Sequence, residues 1–452
     1  MSPAIALLVW FILLVALFRF DPAKGLKPSS ALWVPLIWMF IVGTRLPAQW
    51  LSGQLGQASQ ALEEGNPLDR TVNMTLILLA IGIVLSRPVK WAGFFARNAP
   101  LIAFLSFALV SVCWSDFPSV ALKRWFKDLG NYLVILVVLS DRQPLEATRT
   151  LLRRLCYLLI PLSIVLIKYF PDISRSYDSW TGSVQIVGPA TGKNLLGVIA
   201  LLSGLFFFWD TVARWSTRKE RHARSIIVVN GAFMAMTIWV LNLASSRTAQ
   251  VCLALGCLVI IAAHGKTFQH HPRFLQLMIP AGFCLYLILT LGFGMGGDLA
   301  EAVGKDPTLT DRTKIWAFVL SMQTDPILGT GYESFWLGPR LQSFWGGAGL
   351  GRINEAHNGY LEVYLQLGAL GLVFLSGLLI ASYGTIWRRM KPLSGIASLS
   401  LAVWIVLLFY SWTEAGFRSN LIWLTFLLIS ITVPDRTPIR ATTAPHFTTG
   451  IA

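Results

Sequence analysis

The chain has 452 residues, of which 55% are hydrophobic and 13% are charged, and its mean hydropathy is positive. Soluble globular domains carry about 25% charged residues, so this composition excludes an ordinary soluble protein. The formal net charge is +15. In a membrane protein a basic excess first indicates Lys and Arg retained in cytoplasmic loops, so the charge does not predict nucleic-acid binding.

Apolar runs of about 15 to 20 residues follow one another along the chain, as expected for membrane-spanning helices. About thirteen spans are predicted, at residues 4–18, 31–47, 72–86, 99–114, 130–140, 155–169, 194–209, 225–243, 249–263, 275–293, 366–386, 395–411 and 419–433. Runs without alternating polarity favour helices over a transmembrane barrel. No linker divides the chain, so we predict an all-α polytopic membrane protein with about 12–13 transmembrane helices in a single domain, residues 1–452.

The distribution of basic residues predicts on which side of the membrane each loop lies. If the loops alternate sides beginning with residues 19–30 in the cytoplasm, most of the 37 basic residues fall on the cytoplasmic side. The N-terminus is then outside and the C-terminus inside. The one long interruption of the hydrophobic pattern, residues 294–360, faces the extracytoplasmic side. Because this interval concentrates polar residues, we predict that it is a functional loop containing short helices.

Two basic residues precede this loop on the same predicted side. Arg247 lies in a very short gap between two spans, where an arginine requires an anionic partner or a water-filled cavity. It is either a ligand-binding residue or part of a structural salt bridge. Lys193, in Gly192-Lys193-Asn194 at the start of the seventh span, is less specific, because a lysine at a helix end commonly extends to the membrane surface.

Arg312 and Trp316 are four residues apart and would share one face of a short helix. A guanidinium held there could bind phosphate through two hydrogen bonds, with the indole packed beneath it. The alternative is an interfacial helix in which Arg312 reaches the membrane surface and Trp316 joins the aromatic belt.

Gly329-Thr330-Gly331-Tyr332 predicts a turn where the backbone approaches either a ligand or another helix. It lacks the spacing of a phosphate-binding P-loop, so the structural turn is favoured. Farther along, Glu355 and Asn358 flank His357, the only histidine on the predicted outer side. A neutral imidazole suits proton abstraction from a sugar hydroxyl, whereas the alternative is a hydrogen-bonded histidine at a helix start.

Metal-binding patterns are missing from the sequence. The five cysteines lie in or beside apolar spans without a C-x-x-C pair, and no Asp-x-Asp pair occurs. We therefore predict no metal site and no cofactor.

With these motifs, the chain resembles the bacterial O-antigen ligase and Wzy-type polymerase superfamily, which includes exopolysaccharide polymerases. The resemblance rests on the order and placement of five short motifs: Gly-Lys-Asn-Leu-Leu-Gly (192–197), Ser-Ser-Arg-Thr-Ala (245–249), Arg-x-x-x-Trp (312–316), Pro-Ile-Leu-Gly-Thr-Gly-Tyr (326–332) and Ala-His-Asn-Gly-Tyr-Leu (356–361). It implies a metal-independent, inverting glycosyltransferase in the bacterial cytoplasmic membrane, acting at the outer face on a polyprenyl diphosphate-linked glycan.

The same resemblance implies roles for individual residues. His357, Arg312 and Arg247 would be catalytic, with the arginines on the diphosphate and His357 on the acceptor hydroxyl. Glu355 or Glu362 could orient His357 or serve as the base instead. Substrate-binding residues would be Lys193, Asn194, Trp316, Gly331, Tyr332, Asn358 and Glu355.

Alternatives remain at this point. A transporter or flippase for lipid-linked glycans would also be polytopic, but such proteins usually place ionisable residues within their spans, and here the distinctive residues gather at one face. Thirteen spans also exceed the twelve or so that the resemblance implies. Ligase and polymerase differ in the glycan or lipid-linked acceptor, which could be a lipid A core or the end of another carrier-linked repeat, with a protein hydroxyl as a further alternative. The motifs do not specify it. Polymerisation, with partners in a polysaccharide assembly system, is slightly favoured.

Overall fold

The computed structural model describes residues 1–19, 28–52, 65–177, 182–265, 281–282, 312–347, 353–390 and 395–432. In chain order its elements are α1 (Pro3–Arg19), α2 (Trp33–Gly43), α3 (Pro47–Ser52), α4 (Pro67–Leu85), α5 (Trp91–Arg97), α6 (Ala99–Val110), α7 (Pro118–Leu139), α8 (Pro144–Tyr169), α9 (Pro171–Ser174), β1 (Arg175–Tyr177), β2 (Val184–Ile186), α10 (Lys193–Arg214), α11 (Arg221–Ala244), α12 (Arg247–His264), α13 (Arg312–Ser321), α14 (Gly338–Gly347), α15 (Gly359–Met390), α16 (Ala397–Thr413) and α17 (Leu421–Ser430). Short 3₁₀ turns precede α2 and follow α6 and α10.

The predicted fold class is confirmed. In the described part of the chain six helices are long and apolar enough to cross a membrane: α4, α8, α10, α11, α12 and α15. The helices α5 and α6 form a further candidate span bent by 85°, and α1, α2, α16 and α17 are shorter apolar helices. Each of the other predicted spans contains a helix, and the span 275–293 lies almost entirely outside the described residues.

Several helices extend beyond the predicted apolar runs, because charged residues in their extra turns are paired inside the protein. At one end of the bundle Arg153 of α8 lies 3.3 Å from Asp210 of α10, and both side chains are 3% exposed. Arg214 and Asn230 donate to the same carboxylate at 3.0 and 2.9 Å. Removal of one partner from such a buried pair would leave an uncompensated charge in the interior, which is strongly destabilising.

A break in α15 anchors the polar loop. Gly368 has a left-handed φ of 62° inside this helix, and the segment 326–332 pairs with the backbone around the break. Thr330 N donates to Leu365 O at 3.1 Å, and Ala369 N donates to Pro326 O at 2.9 Å. A Cβ on Gly329 would lie 2.5 Å from the carbonyl carbon of Gln366, so glycine is required for this approach.

The described part of the predicted loop 294–360 has a small hydrophobic core of its own. Side chains from α13, α14 and the preceding turn meet there: Ile315, Val319, Phe335, Trp336, Leu341 and Phe344. This core fixes the start of α13, where Arg312 lies, relative to the segment that carries His357. Residues 294–311 of the predicted loop lie outside the described residues.

Candidate active site

Glu414 lies at the centre of the candidate site, immediately after α16, with a side chain that is 5% exposed. Arg312 Nη2 donates to its Oε1 at 2.5 Å. Asn194 Nδ2 donates to its Oε2 at 3.0 Å, and His357 Nδ1 lies 3.4 Å from the same oxygen. One buried carboxylate therefore joins three residues that the sequence predicted as functional.

His357 is held between two carboxylates. Its Nδ1 lies 2.9 Å from Glu355 Oε1, in addition to the contact with Glu414. Burial by itself would lower the pKa of His357, but the negative charge and hydrogen bond of Glu355, followed by those of Glu414, raise it to about 10. Burial would likewise raise the pKa of Glu355, but His357 lowers it to about 2. The imidazole is thus protonated near neutral pH.

The backbone of His357 is also unusual. In the described residues, the non-glycine residues with positive φ are Ser245 (50°), Glu333 (52°) and His357 (48°). Each lies one or two residues from a residue singled out by sequence: Arg247, Tyr332 and Asn358. Such conformations are unfavourable for residues with a Cβ and often occur where function constrains the backbone.

Four helices begin at this end of the bundle, which we call the Glu414 end. The helices α10, α12 and α13 start at Lys193, Arg247 and Arg312, and α15 starts just after His357 and Asn358. The N-terminus of a helix carries a partial positive charge and unpaired N–H groups, so converging N-termini favour an anionic ligand.

Arg247 is exposed, and its guanidinium donates to Gln250 Oε1 at 3.2 Å. The hydroxyl of Thr248, the next residue, lies 3.0 Å from that of Thr413, which directly precedes Glu414. This contact places the start of α12 beside the carboxylate that holds Arg312. Lys193 is half-buried and directly precedes Asn194 in α10. The helix starts that carry Lys193 and Arg247 therefore lie at the Glu414 end, and a substrate-binding role for these two residues stays a prediction.

Trp316 and Asn358 support the segment that carries His357. The Trp316 indole donates to Ala356 O at 2.8 Å. Asn358 Oδ1 accepts from Leu361 N at 3.0 Å, which caps the first turn of α15. In this structure both side chains bond to the protein backbone.

Gly331 and Tyr332 contact neighbouring helices. A Cβ on Gly331 would lie 2.6 Å from Ser115 Cα, and the Tyr332 hydroxyl donates to Asp128 Oδ2 at 2.8 Å. Of the two interpretations of the Gly-Thr-Gly-Tyr turn, approach to another helix accounts for these contacts.

A second ionic group lies next to this turn, and of its members the sequence had placed only Arg418 on the predicted outer side. Arg418 Nη2 donates to Glu333 Oε2 at 2.9 Å, and Arg124 Nη1 donates to Glu333 O at 2.6 Å. Burial would raise the pKa of Glu333, but Arg418 and Arg124 lower it. Arg418 also donates to Asn354 O at 3.4 Å, so this group ties the segment before His357 to the turn between α16 and α17.

Glu362 has structural partners. It is 1% exposed and accepts from the Trp336 indole at 3.1 Å, from Ala356 N and from Gln366 Nε2. Of the two flanking acids that the sequence left open, Glu355 is the one that contacts the imidazole of His357.

Glu355, His357 and Glu414 present ligand atoms within 4.8 Å of one another, as a bound cation would require. However, Arg312 and Asn194 already donate to the Glu414 carboxylate, and His357 is protonated. A divalent cation could bind there only if Arg312 were released and His357 lost its proton.

Among the residues that sequence reasoning missed, Glu414 is the most important. In the sequence around Glu414, the one feature that predicts a role is that this acid lies in a short turn between two apolar runs. That turn, Thr413 to Asn420, also contains Arg418. An ionisable residue so close to the hydrocarbon region indicates a functional or paired role, and this rule could have identified Glu414.

Comparison with known proteins agrees with the geometry. Residues 232–376 match the family model described as O-Antigen ligase, and this region contains Arg247, Arg312 and His357. The chain is 26% identical over 302 residues to the Exopolysaccharide production protein ExoQ of Rhizobium meliloti (strain 1021). That alignment spans 65% of this chain and 66% of the relative, just under two thirds of its length. By these matches and the shared motifs, the chain is similar to proteins of the O-antigen ligase and polymerase superfamily.

Proposed function

We propose that this protein is a glycosyltransferase of the bacterial cytoplasmic membrane, which transfers a glycan from a polyprenyl diphosphate carrier to an acceptor hydroxyl at the outer face. The observation that carries this proposal is the single carboxylate of Glu414, which joins Arg312 to His357. A cation for a leaving diphosphate and a group for an acceptor proton therefore lie within one small site, as displacement requires.

In the proposed step the acceptor oxygen attacks the anomeric carbon of the donor. The bond from that carbon to the phosphate oxygen breaks, and its electron pair stays on the polyprenyl diphosphate. Arg312 and Arg247 stabilise the charge that develops there, a role that needs no metal. The acceptor proton passes to His357 Nε2 in its neutral form, and a single displacement inverts the anomeric carbon.

Glu355 and Glu414 determine the proton affinity of His357. Since its pKa is raised to about 10, the neutral imidazole is a minor species at pH 7 but a strong base when present. Binding of the diphosphate would compete with Glu414 for Arg312, because both are anions that need the same donor. Asn194 would be released from the same carboxylate.

The identity of the acceptor is less well specified by the sequence and the site than the identity of the donor. ExoQ is described by its name as an exopolysaccharide production protein, and this likeness favours polymerisation, in which the acceptor is another carrier-linked glycan, over transfer to a lipid core. We therefore place the protein in a polysaccharide assembly system, with membrane lipid around it and with no nucleic-acid partner.

The test is a transfer assay with the purified protein, a polyprenyl diphosphate oligosaccharide and two acceptors, a second carrier-linked oligosaccharide and a lipid A core. Each reaction is run with chelator and with added Mg²⁺ or Mn²⁺. We expect lengthened carrier-linked product with chelator present, and loss of product in Arg312→Gln and His357→Gln. Product that requires added metal would contradict the metal-free mechanism. Lack of transfer, together with donor translocation in vesicles, would support the flippase.

A further inference from the structure

A cavity lies at the end of the bundle opposite Glu414, between the bend that joins α5 to α6 and the C-terminal ends of α15 and α17. From the break at Gly368 to Met390, α15 rises about 33 Å. That rise is close to the thickness of the hydrocarbon core, about 30 Å. The cavity therefore lies near the second membrane surface, which faces the cytoplasm in the proposed function. Its lining is polar on one side and apolar on the other and includes Arg97, Asn98, Thr385, Ser430, Leu101 and Leu378.

The helix α5 has the character of a helix that lies in the membrane surface. It is bent by 85° from α6, so α5 runs along the membrane where α6 enters it. The ring centroids of Trp91 and Phe94 are 6.0 Å apart, and Phe95 packs on the same cluster while 50% of it stays exposed. Aromatic side chains of this kind are typical of the interface between headgroups and acyl chains. Arg97, the last residue of α5, lines the cavity from this depth.

Three arginines lie at the cavity. Arg97 lines it directly. Arg388 Nη2 donates at 3.3 Å to the hydroxyl of Thr385, which also lines it. Arg389 donates to two backbone carbonyls at the end of α17, at 2.9 and 3.1 Å. The sequence has no Asp or Glu in the segments that form the cavity, residues 70–115, 363–390 and 415–432. Positive charge gathered from three segments without an acid favours an anionic ligand.

The hydroxyl of Ser430 indicates where such a ligand would bind. Ser430 lines the cavity and is 5% exposed, and its Oγ has no hydrogen-bond partner in the described part of the chain. Its position is fixed, because Arg389 bonds to the carbonyls on both sides of it and Thr432 N donates to Asn98 Oδ1 at 3.0 Å. Buried hydroxyls are nearly always paired, so this one predicts an oxygen supplied by a ligand.

From these observations we propose that the cavity binds the headgroup of an anionic phospholipid, such as phosphatidylglycerol, from the membrane leaflet opposite Glu414. A phosphate oxygen accepts hydrogen bonds from Ser430 and Arg97, and Arg388 adds positive charge. The glycerol and the first part of an acyl chain lie along Leu101 and Leu378, which favours a lipid over free inorganic phosphate. This site is separate from the proposed active site, and the lipid bound in it links α5 to α15 and α17.

The test measures lipid binding to the full-length protein in detergent by native mass spectrometry, with phosphatidylglycerol, phosphatidylcholine and inorganic phosphate as probes. We expect the wild type to bind phosphatidylglycerol about tenfold more tightly than phosphatidylcholine, whose choline brings a positive charge beside the arginines. Arg97→Gln and Ser430→Ala each remove a hydrogen bond to a charged group, so each should weaken phosphatidylglycerol binding about tenfold. Arg97 is exposed, so its replacement keeps the test valid if Ser430→Ala fails to fold.

Arg218→Gln and Ser225→Ala are the matched controls. Both residues are exposed between α10 and the first turn of α11, at the same end of the bundle, and Ser225 Oγ donates to His222 O at 2.8 Å. Both variants should bind phosphatidylglycerol as the wild type does. Equal binding in Arg97→Gln, Ser430→Ala and the wild type would overturn the site, as would equal binding of the two phospholipids. Displacement of phosphatidylglycerol by an equal concentration of inorganic phosphate would identify a site for the free ion and contradict the lipid. None of these outcomes depends on transfer activity.

Discussion

Arg312 and His357 contact opposite oxygens of the Glu414 carboxylate, at 2.5 and 3.4 Å. The carboxylate occupies the position on Arg312 that an anionic substrate would take, and at the same time it holds the ring of His357. In the proposed function, Glu414 would thus couple binding of the donor to the protonation state of His357. Its replacement should therefore affect both halves of the proposed reaction.

Glu414→Gln should lower the pH at which the transfer rate levels off, and it should also lower the rate at that plateau, because His357 becomes a weaker base. The amide retains the size of the side chain but removes the charge that supports His357, so the pKa of the histidine should also fall. The measurements are the initial rate at saturating donor and the pH at which that rate levels off. Glu220→Gln, an exposed acid far along the chain, is the control. An unchanged rate and pH profile in Glu414→Gln would rule out the coupling.

The rate should rise with pH and level off near pH 10, because the neutral form of His357 accepts the proton and its pKa is about 10. Below that value the slope should be about one logarithmic unit per pH unit. His357→Gln should abolish this dependence and leave only residual activity. A rate that falls as pH rises toward 10 would instead assign His357 a cationic role on the diphosphate.

The His357 and Glu355 pair should stabilise the protein most between about pH 4.5 and 6.5. The raised pKa of His357 gives stability that is complete below 6.5 and is lost as pH rises toward about 10. The lowered pKa of Glu355 gives stability that is complete above 4.5 and is lost as pH falls toward about 2. The Tm difference between wild type and Glu355→Gln should therefore be greatest in this window, though small, since the Glu355 side chain is 35% exposed. A difference that grows toward pH 10 would contradict this sign.

Gly368→Ala should destabilise the protein by about 1–3 kcal/mol. The new Cβ would overlap the carbonyl of Ile327, and the left-handed φ of 62° is unfavourable for alanine. Gly377→Ala and Gly384→Ala in the same helix are matched controls, because nothing lies within 4 Å of a Cβ at either position. These should be neutral or stabilising by about 0.5–1 kcal/mol. Equal Tm values for all three variants would show that the contact between segment 326–332 and the helix break at Gly368 does not contribute to stability.

Asp210→Asn should destabilise the protein by about 3–5 kcal/mol, because it leaves the buried Arg153 without its counterion. The measurement is chemical or thermal unfolding in detergent. At the more exposed pair of Glu146 and Arg149, Glu146→Gln should cost less than about 1 kcal/mol. A similar decrease in the free energy of unfolding for both variants would mean that burial does not determine how strongly these ion pairs contribute to stability.

Hydropathy in the sequence predicted where the apolar helices of the described residues lie, because a spanning helix satisfies its own backbone and its apolar character is visible locally. The sequence also placed four polar motifs correctly at or beside helix starts, because polar residues there interrupt the apolar runs. These motifs contain Lys193, Arg247, Arg312 and His357. That residues 1–452 form one domain stays a prediction.

Only the tertiary structure showed what those residues contact. Glu414 is 102 residues from Arg312 and 220 from Asn194, and no local pattern records such a pairing. The glycines at 329 and 331 indicated a close approach but not its partner, which proved to be neighbouring helices. Hydropathy is a property of each segment by itself, whereas the chemistry of a site depends on distances between segments, and these are decided by packing.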